Sequence, residues 1–200
     1  MFSKNQSGSS LNRQLFETYM ALDNWHQFRL RLFIEGIFVG IAGGLSISLF
    51  RFLLNESEDL RIYLYHACLI PALRRDDLLP LLSYALLLLA IGGALCAMCR
   101  YAPMAGGSGI PQVKGVILGL MKMKWLRILW VKILAGAIGI GAGLSLGREG
   151  PSIQIGAVAG QGLSRTLGRT RMEERYLITS GASAGLAAAF NAPLAGMMFA

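Results

Sequence analysis

An arginine and a glutamate stand side by side in a glycine-rich segment that carries no other charge. Arg148 and Glu149 lie in GLSLGREGPSIQIG, residues 143–156, and no further charged residue occurs between Lys132 and Arg165. Burying an ion pair is expensive, and an ionisable group within a membrane span is by default a hypothesis for a functional site. If this segment also bound an anion, the carboxylate of Glu149 would compete with that anion. Protonation of the carboxylate would remove the competition and so couple pH to anion movement. A residue without an ionisable group could not do this.

Two glycine-rich motifs precede predicted helices and share one design. In GGSGIPQV and GREGPSIQ, glycines form a tight turn and a proline suits the first helical position, where its missing N–H has no consequence. The first turn of a helix has unpaired N–H groups at the positive end of the helix dipole. Two such starts aimed at one point would bind an anion. The predicted helix-start residues are Gly107, Pro111, Gly147 and Pro151, and the predicted anion-binding residues are Ser108, Gly109, Ile110, Arg148, Glu149 and Gly150.

Both motifs also have a purely structural interpretation. Ser108 can serve as an N-cap instead of turning its hydroxyl toward a ligand, and glycine and proline at a membrane helix start often only cap or kink the helix. GREGP could hold a structural ion pair between Arg148 and Glu149. GGSGIP is not a phosphate-binding loop, because no GK[ST] follows it.

The composition indicates a membrane protein with several spans. The 200 residues are 54% hydrophobic and only 15% charged, whereas soluble domains carry about a quarter charged residues. Residues 32–50 contain a single charge, and residues 78–99 and 176–200 contain none. Apolar spans of roughly 20 residues match the hydrocarbon thickness of a bilayer.

Several other classes of protein are disfavoured. The net charge of +8 arises from basic residues at the edges of apolar runs, where lipid headgroups place them, so nucleic acid is not expected as a partner. His26 and His66 are far apart, so we expect no metal site. The CAMC segment ends an apolar run and is interpreted as packing. No Ser–His–Asp set, HExxH motif or paired carboxylates occur in the spans, so we expect neither an enzyme nor a cofactor.

The first half of the chain predicts a polar segment followed by two spans. Residues 1–28 are interpreted as a cytoplasmic segment with an interfacial amphipathic helix over residues 11–28. A span over residues 31–54 carries Gly36, Gly40 and Gly44 at the spacing that allows close helix packing in lipid. Residues 55–77 are predicted to be an external loop with a short helix, and residues 78–100 the second span. Basic residues before the first span place the N-terminus in the cytoplasm.

The second half alternates short and long apolar segments. Residues 101–124 and 148–169 contain short, glycine-rich runs, residues 124–147 can cross the bilayer, and residues 175–200 are interrupted by Asn191 and Pro193. This pattern suggests discontinuous helices, whose N-termini point at anionic substrates in transporters. We therefore predict an all-α fold with re-entrant half-helices that meet at an anion site.

The motifs GSGIP, GREGP and GASAGLAAAFNAPLAG, in this order, resemble the CLC family of chloride channels and chloride/proton exchangers. The resemblance covers nearly all of residues 30–200. It implies that the Ser108 hydroxyl contributes to the central anion site, that Glu149 is the external gating glutamate, and that Lys132 is the buried lysine of the preceding helix in prokaryotic members. Ser108 is similar to the serine of chloride-type members, since nitrate-selective members carry proline there and fluoride exporters methionine.

The resemblance also sets expectations for the whole protein. It implies the first of two inverted repeats over residues 29–200, a homodimer at full length, and a multi-pass location in a bacterial plasma membrane with chloride, protons and lipid as partners. The second-repeat GxFxP motif and late tyrosine are absent, so we expect a chain truncated after the first-repeat core. Two functions stay open. The first is chloride transport by exchange or through a channel, and the second is a non-conducting remnant or fragment of such a transporter.

Overall fold

A computed structural model describes residues 25–71 and 78–199, and within them all regular structure is helical. The helices are α1 (Trp25–Leu64), α2 (Leu78–Tyr101), α3 (Ile110–Ile117), α4 (Trp125–Gly141), α5 (Glu149–Thr166), α6 (Arg171–Phe190) and α7 (Pro193–Phe199). A π-helical turn, Tyr65–Leu69, follows α1, and a 3-10 turn, Pro103–Ala105, follows α2. The predicted all-α fold is confirmed.

Within the described ranges, two helices are long and apolar enough to cross a membrane by length and composition. They are Leu30–Ala67, with 38 residues, and Leu78–Tyr101, with 24 residues. The second agrees with the predicted span over residues 78–100. Helix α4 has 17 residues and α3 only 8, so at about 1.5 Å per residue α3 is far too short to cross.

The predicted loop over residues 55–77 is wrong for its first part. Helix α1 continues through the charged segment to Leu64, and the π-helical turn carries the chain on to Leu69. No glycine or proline interrupts this segment until Pro71, and Glu58 and Arg61 form an ion pair of 3.3 Å along the helix. Charge alone therefore does not end a helix whose residues are good helix formers.

Some sequence predictions fall on residues without a described structure. Residues 1–24 and 72–77 lie outside the described residues, so the amphipathic helix predicted over residues 11–28 stays a prediction. Helix α1 already begins at Trp25.

Helix α5 lies at the centre of the fold. Most of its residues are buried, among them Ile153, Ile155 and Val158, whereas α2 contributes no buried residue in the described part of the chain. One apolar cluster joins Ile47 and Phe50 of α1 to α4 and α5. The GREGP motif at the start of α5 is therefore held by the most densely packed element of the structure.

Small residues let α5 and α6 pack backbone to backbone. A β-carbon on Gly156 would overlap the Gly181 carbonyl oxygen and come 3.0 Å from the Gly185 Cα. The predicted close approach at Gly40 and Gly44 is not found among the described residues, because a β-carbon there would meet none of them within 4 Å. The same small-xxx-small spacing occurs in both places, so sequence spacing alone does not identify the packed pair.

Helix α6 ends where the sequence predicts a break. Asn191 adopts the left-handed conformation with φ 53°, and α7 begins at Pro193. The Arg51 Nη1 donates to the Asn191 Oδ1 at 2.8 Å and to the Ala188 carbonyl at 3.2 Å. These bonds tie α1 to the C-terminal end of α6, whose last carbonyls lack intrahelical donors.

Candidate functional site: two converging helix N-termini

The GGSGIP segment forms a turn in which two glycines have positive φ angles. Gly107 has φ 68°, and Gly109, the N-cap of α3, has φ 91° and ψ −26°. Residues with a β-carbon rarely adopt these angles, so the turn depends on glycine here. Ser108 lies between the two glycines and is exposed.

Ser108 is not the N-cap of α3, contrary to one of its two interpretations. No side chain caps the helix, and the Ser108 hydroxyl has no hydrogen-bond partner among the described residues. Pro111 lies in the first turn at the second helical position, one residue later than predicted. The backbone N–H groups of Ile110 and Gln112 have no intrahelical acceptor, as at any helix start.

The GREGP segment starts α5 one residue earlier than the proline suggests. Arg148 is the N-cap and Glu149 the first helical residue, so Pro151 occupies the third position rather than the first. The Arg148 carbonyl oxygen accepts bonds from the Ser152 N–H at 3.2 Å and from the Ser152 Oγ at 2.8 Å. Helix α5 has 18 residues and is longer than the predicted half-helix.

Arg148 and Glu149 do not form the structural ion pair considered from the sequence. Both side chains are exposed, and neither belongs to any of the ion pairs found in the described part of the chain. The Glu149 carboxylate is therefore not held by a neighbouring cation.

The two predicted helix starts meet at Ser108 and Gly150. A β-carbon on Gly150 would come 2.8 Å from the Ser108 Oγ and closer still to the Ser108 carbonyl oxygen. A β-carbon on Gly109 would come 2.8 Å from the Gln154 Cβ. The turn before α3 thus lies directly against the first turn of α5. The structure brings Ser108 against Gly150, with Gly109, Ile110 and Glu149 next to them in the chain, while a β-carbon on Gly147 would meet nothing within 4 Å among the described residues.

Lys132 binds the backbone of the turn before α3. Its side chain is buried, and its Nζ donates to the Ala105 carbonyl at 2.9 Å and to the Gly107 carbonyl at 2.7 Å. An ammonium group bound to two carbonyls fixes their direction, and it adds positive potential beneath the turn. Lys132 is therefore a positioning residue.

Two glutamines also position the turn, and sequence reasoning missed them. The Gln154 Nε2 donates to the Met104 carbonyl at 2.7 Å, and the Gln112 Nε2 donates to the Gly106 carbonyl at 3.1 Å. Gln154 is fully buried, and its Oε1 has no partner among the described residues. An amide in an otherwise apolar helix, as in SIQIG, is the signal that could have identified it.

These features are typical of a membrane protein that binds a small anion between helix N-termini. Two helix N-termini with unpaired N–H groups converge beside an exposed hydroxyl and an exposed carboxylate, on a rigid and buried support. The partial positive charge of helix N-termini suits an anion that must be bound and released.

Comparison with known proteins identifies the family. Residues 86–200, more than half of the chain, match the family model described as voltage gated chloride channel. The H(+)/Cl(-) exchange transporter ClcA of Cronobacter sakazakii is 50% identical over 101 residues, which cover 50% of this chain and 22% of the relative. The corresponding protein of Vibrio cholerae is 46% identical over 101 residues with the same coverage. The chain therefore belongs to the voltage-gated chloride channel family, as the CLC resemblance predicts.

A solved structure agrees with this assignment. The chain is similar to a slow cyanobacterial Cl−/H+ antiporter, with a TM-score of 0.60 and 34% identity, over 84% of this chain and 37% of that one. The fold is thus that of an all-α, multi-pass membrane protein. The chain aligns with only 22% of the length of the curated relatives.

Proposed function

We propose that this chain supplies one side of a chloride pathway, with the N-termini of α3 and α5 as the anion site. The observation that carries the proposal is the close approach of Ser108 and Gly150, because it supports an arrangement in which the start of α3 and the start of α5 serve the same anion. The Ser108 hydroxyl is free to donate to an anion. The relatives named as H(+)/Cl(-) exchange transporters support chloride as the anion.

Glu149 is the proposed gate and proton carrier. Its carboxylate is the first helical residue of α5 and lies next to Gly150, at the position where the anion would approach the N–H groups. An ionised carboxylate there competes with chloride for the same donors. Protonation removes that competition, so proton and chloride movement become coupled. Arg148, exposed at the N-cap, raises the local potential for the entering anion.

The distribution of charge supports a cytoplasmic N-terminus. Glu35 near the start of α1 pairs with Arg169, which joins α5 and α6. That end of the molecule also carries Arg165 and Arg175, whereas Ser57 in the acidic segment of α1 packs against Gly141 at the far end of α4. The positive-inside rule then places the Arg169 end in the cytoplasm of a bacterial cell.

The test is the substitution Glu149→Gln in this chain joined to the second repeat of a family exchanger. The amide imitates the protonated carboxyl but carries no proton. We expect chloride movement to persist while proton coupling and the pH dependence of flux are lost. Chloride and proton flux are recorded together in liposomes, and Glu56→Gln, an exposed carboxylate of α1, is the matched control. A folded Glu149→Gln protein that still drives protons against their gradient contradicts the proposal.

A second candidate is that the 200-residue chain inserts without conducting. It is favoured by the exposure of Ser108, Arg148 and Glu149, which leaves the candidate site open on one face. Polar helix ends that lack a protein cover are unfavourable in lipid. Pure protein of this length in liposomes should give chloride efflux no faster than empty vesicles, and clearly faster efflux eliminates this candidate.

We also propose that the full-length protein forms a homodimer, as the resemblance to the CLC family implies.

A further inference from the structure

A positively charged cavity lies away from the candidate anion site, where three helix ends meet. It is an open cleft lined by the C-terminus of α2, the N-terminus of α4 and the last turn of α5, with a volume of about 480 Å³. The lining residues that matter here are Tyr101, Lys124, Trp125, Arg127, Trp130 and Arg165. A second cavity of about 250 Å³ shares Tyr101, Lys124 and Arg127 with it and adds Lys122. We treat the two together as the basic cleft.

Four cations from three parts of the fold meet in the basic cleft. Lys122 and Lys124 come from the turn before α4, Arg127 from its first turn, and Arg165 from α5. None of the described residues that line the cleft is acidic. Glu174 lies close by and forms an ion pair of 3.4 Å with Arg165. The positive charge of the cleft that is not neutralised in this way therefore comes from Lys122, Lys124 and Arg127. The cleft is therefore complementary to an anion.

An aromatic ring fixes one of these cations. The Arg127 guanidinium lies over the Tyr101 ring, 4.3 Å from its centroid. Stacking on an aromatic face orients the planar guanidinium and leaves its N–H edges free to bind phosphate oxygens. Arg127 is thus held ready for a phosphate group.

The walls of the basic cleft continue into an apolar surface. Trp130 and Leu126 of α4 are each 52% exposed, and Leu134 lies one turn beyond Trp130 and is 42% exposed. Helix α2 reaches the described lining of the cleft through its last residue, Tyr101, so the apolar surface beside the cleft is that of α4. Tryptophan and tyrosine are enriched at the level of lipid headgroups, where one end of the ring is wet and the other apolar.

We propose that the basic cleft binds one anionic phospholipid of the phosphatidylglycerol class. Its phosphate contacts Lys124 and Arg127, the two cations that line both cavities, and its acyl chains lie along Trp130 and the outer face of α4. A free phosphate would bind the basic side chains but leave the apolar surface uncovered. A zwitterionic lipid would pack on the apolar surface, but the cation of its headgroup would be repelled by the basic side chains. Only an anionic lipid matches both parts of the cleft. This proposal does not depend on chloride transport.

Tryptophan fluorescence can test the proposal, because Trp125 and Trp130 line the cleft. The purified full chain in zwitterionic detergent is titrated with phosphatidylglycerol whose acyl chains are brominated, which quenches nearby tryptophans. We expect half-maximal quenching at a concentration about 25-fold lower than with brominated phosphatidylcholine. An attraction of about 1 kcal/mol per cation corresponds to about fivefold in affinity, and two cations multiply to about 25-fold.

Matched variants distinguish the cleft from general surface charge. Lys124→Gln combined with Arg127→Gln should move the phosphatidylglycerol curve to that of phosphatidylcholine. Arg31→Gln combined with Arg171→Gln removes the same charge from exposed positions outside the cleft and should leave the curve unchanged. All four side chains are on the surface, and circular dichroism checks that both variants fold.

Three results would overturn the proposal. The first is coincident curves for the two lipids, and the second is an equal loss of affinity in both double variants. The third is complete displacement of phosphatidylglycerol by inorganic phosphate at an equal concentration, which would identify the ligand as a free anion.

Discussion

The Ser108 side chain and the Gly150 backbone are in direct contact, although 42 positions separate them in the chain. A β-carbon on Gly150 would lie 2.8 Å from the Ser108 Oγ and even nearer to the Ser108 carbonyl oxygen. This contact sets the distance between the starts of α3 and α5.

The first prediction concerns Gly150→Ala. The added methyl group overlaps Ser108, and the rigid start of α5 forces the turn before α3 to shift. We expect a loss of about 1–3 kcal/mol in the free energy of unfolding, as for other overpacked sites. Thermal unfolding in detergent measures it. Gly147→Ala is the control, because a β-carbon there meets nothing within 4 Å; equal stability of the two variants would contradict the contact.

The second prediction concerns Lys132→Met. The substitution keeps an unbranched side chain that is one atom shorter, and it leaves the Ala105 and Gly107 carbonyls without their donor. An unsatisfied buried polar group costs about 1–3 kcal/mol. We expect lower stability and faster proteolysis within residues 103–109. The control is Lys114→Met, at an exposed lysine of α3, which should change neither quantity. If residues 103–109 of the Lys132→Met variant resist proteolysis as well as those of the native protein, the positioning role is excluded.

The third prediction concerns the packing of α5 on α6. In Gly156→Ala the methyl group meets the backbone of α6, which cannot move aside as a side chain can. We expect destabilisation near the upper end of about 1–3 kcal/mol. Gly44→Ala should be neutral or slightly stabilising, since its surroundings are open and alanine is the better helix former. Chemical denaturation of both variants provides the measurement, and the reverse order would refute the packing.

The fourth prediction concerns Ser108→Ala in the protein joined to a second repeat. The hydroxyl makes no bond within the described chain, so its loss should leave stability unchanged. A hydrogen bond to a charged group is worth about 1.5–3 kcal/mol, so chloride affinity should fall by about tenfold or more. Calorimetric titration with chloride measures the change. An unaltered affinity would remove the hydroxyl from the anion site.

The sequence alone was sufficient for the features that depend on local chemistry. Long uncharged runs predict membrane spans, and the span over residues 78–100 is found as α2. Asn191 and Pro193 predict the break between α6 and α7, because an asparagine tolerates the left-handed conformation and a proline cannot continue a helix. Both motifs, GGSGIP and GREGP, do begin helices.

Tertiary structure decided which of these local features matter to each other. Spacing could not show that Gly156, and not Gly44, lies against another backbone, nor that the charged segment after residue 54 continues α1. Spacing also could not show that Ser108 contacts Gly150 or that Lys132 binds the Gly107 carbonyl. The absence of an ion pair for Arg148 and Glu149 among the described residues could not be predicted either. Helix starts and breaks are determined within a few residues of backbone. Contacts between distant segments depend on how whole helices pack, and the sequence of any one helix does not contain that information.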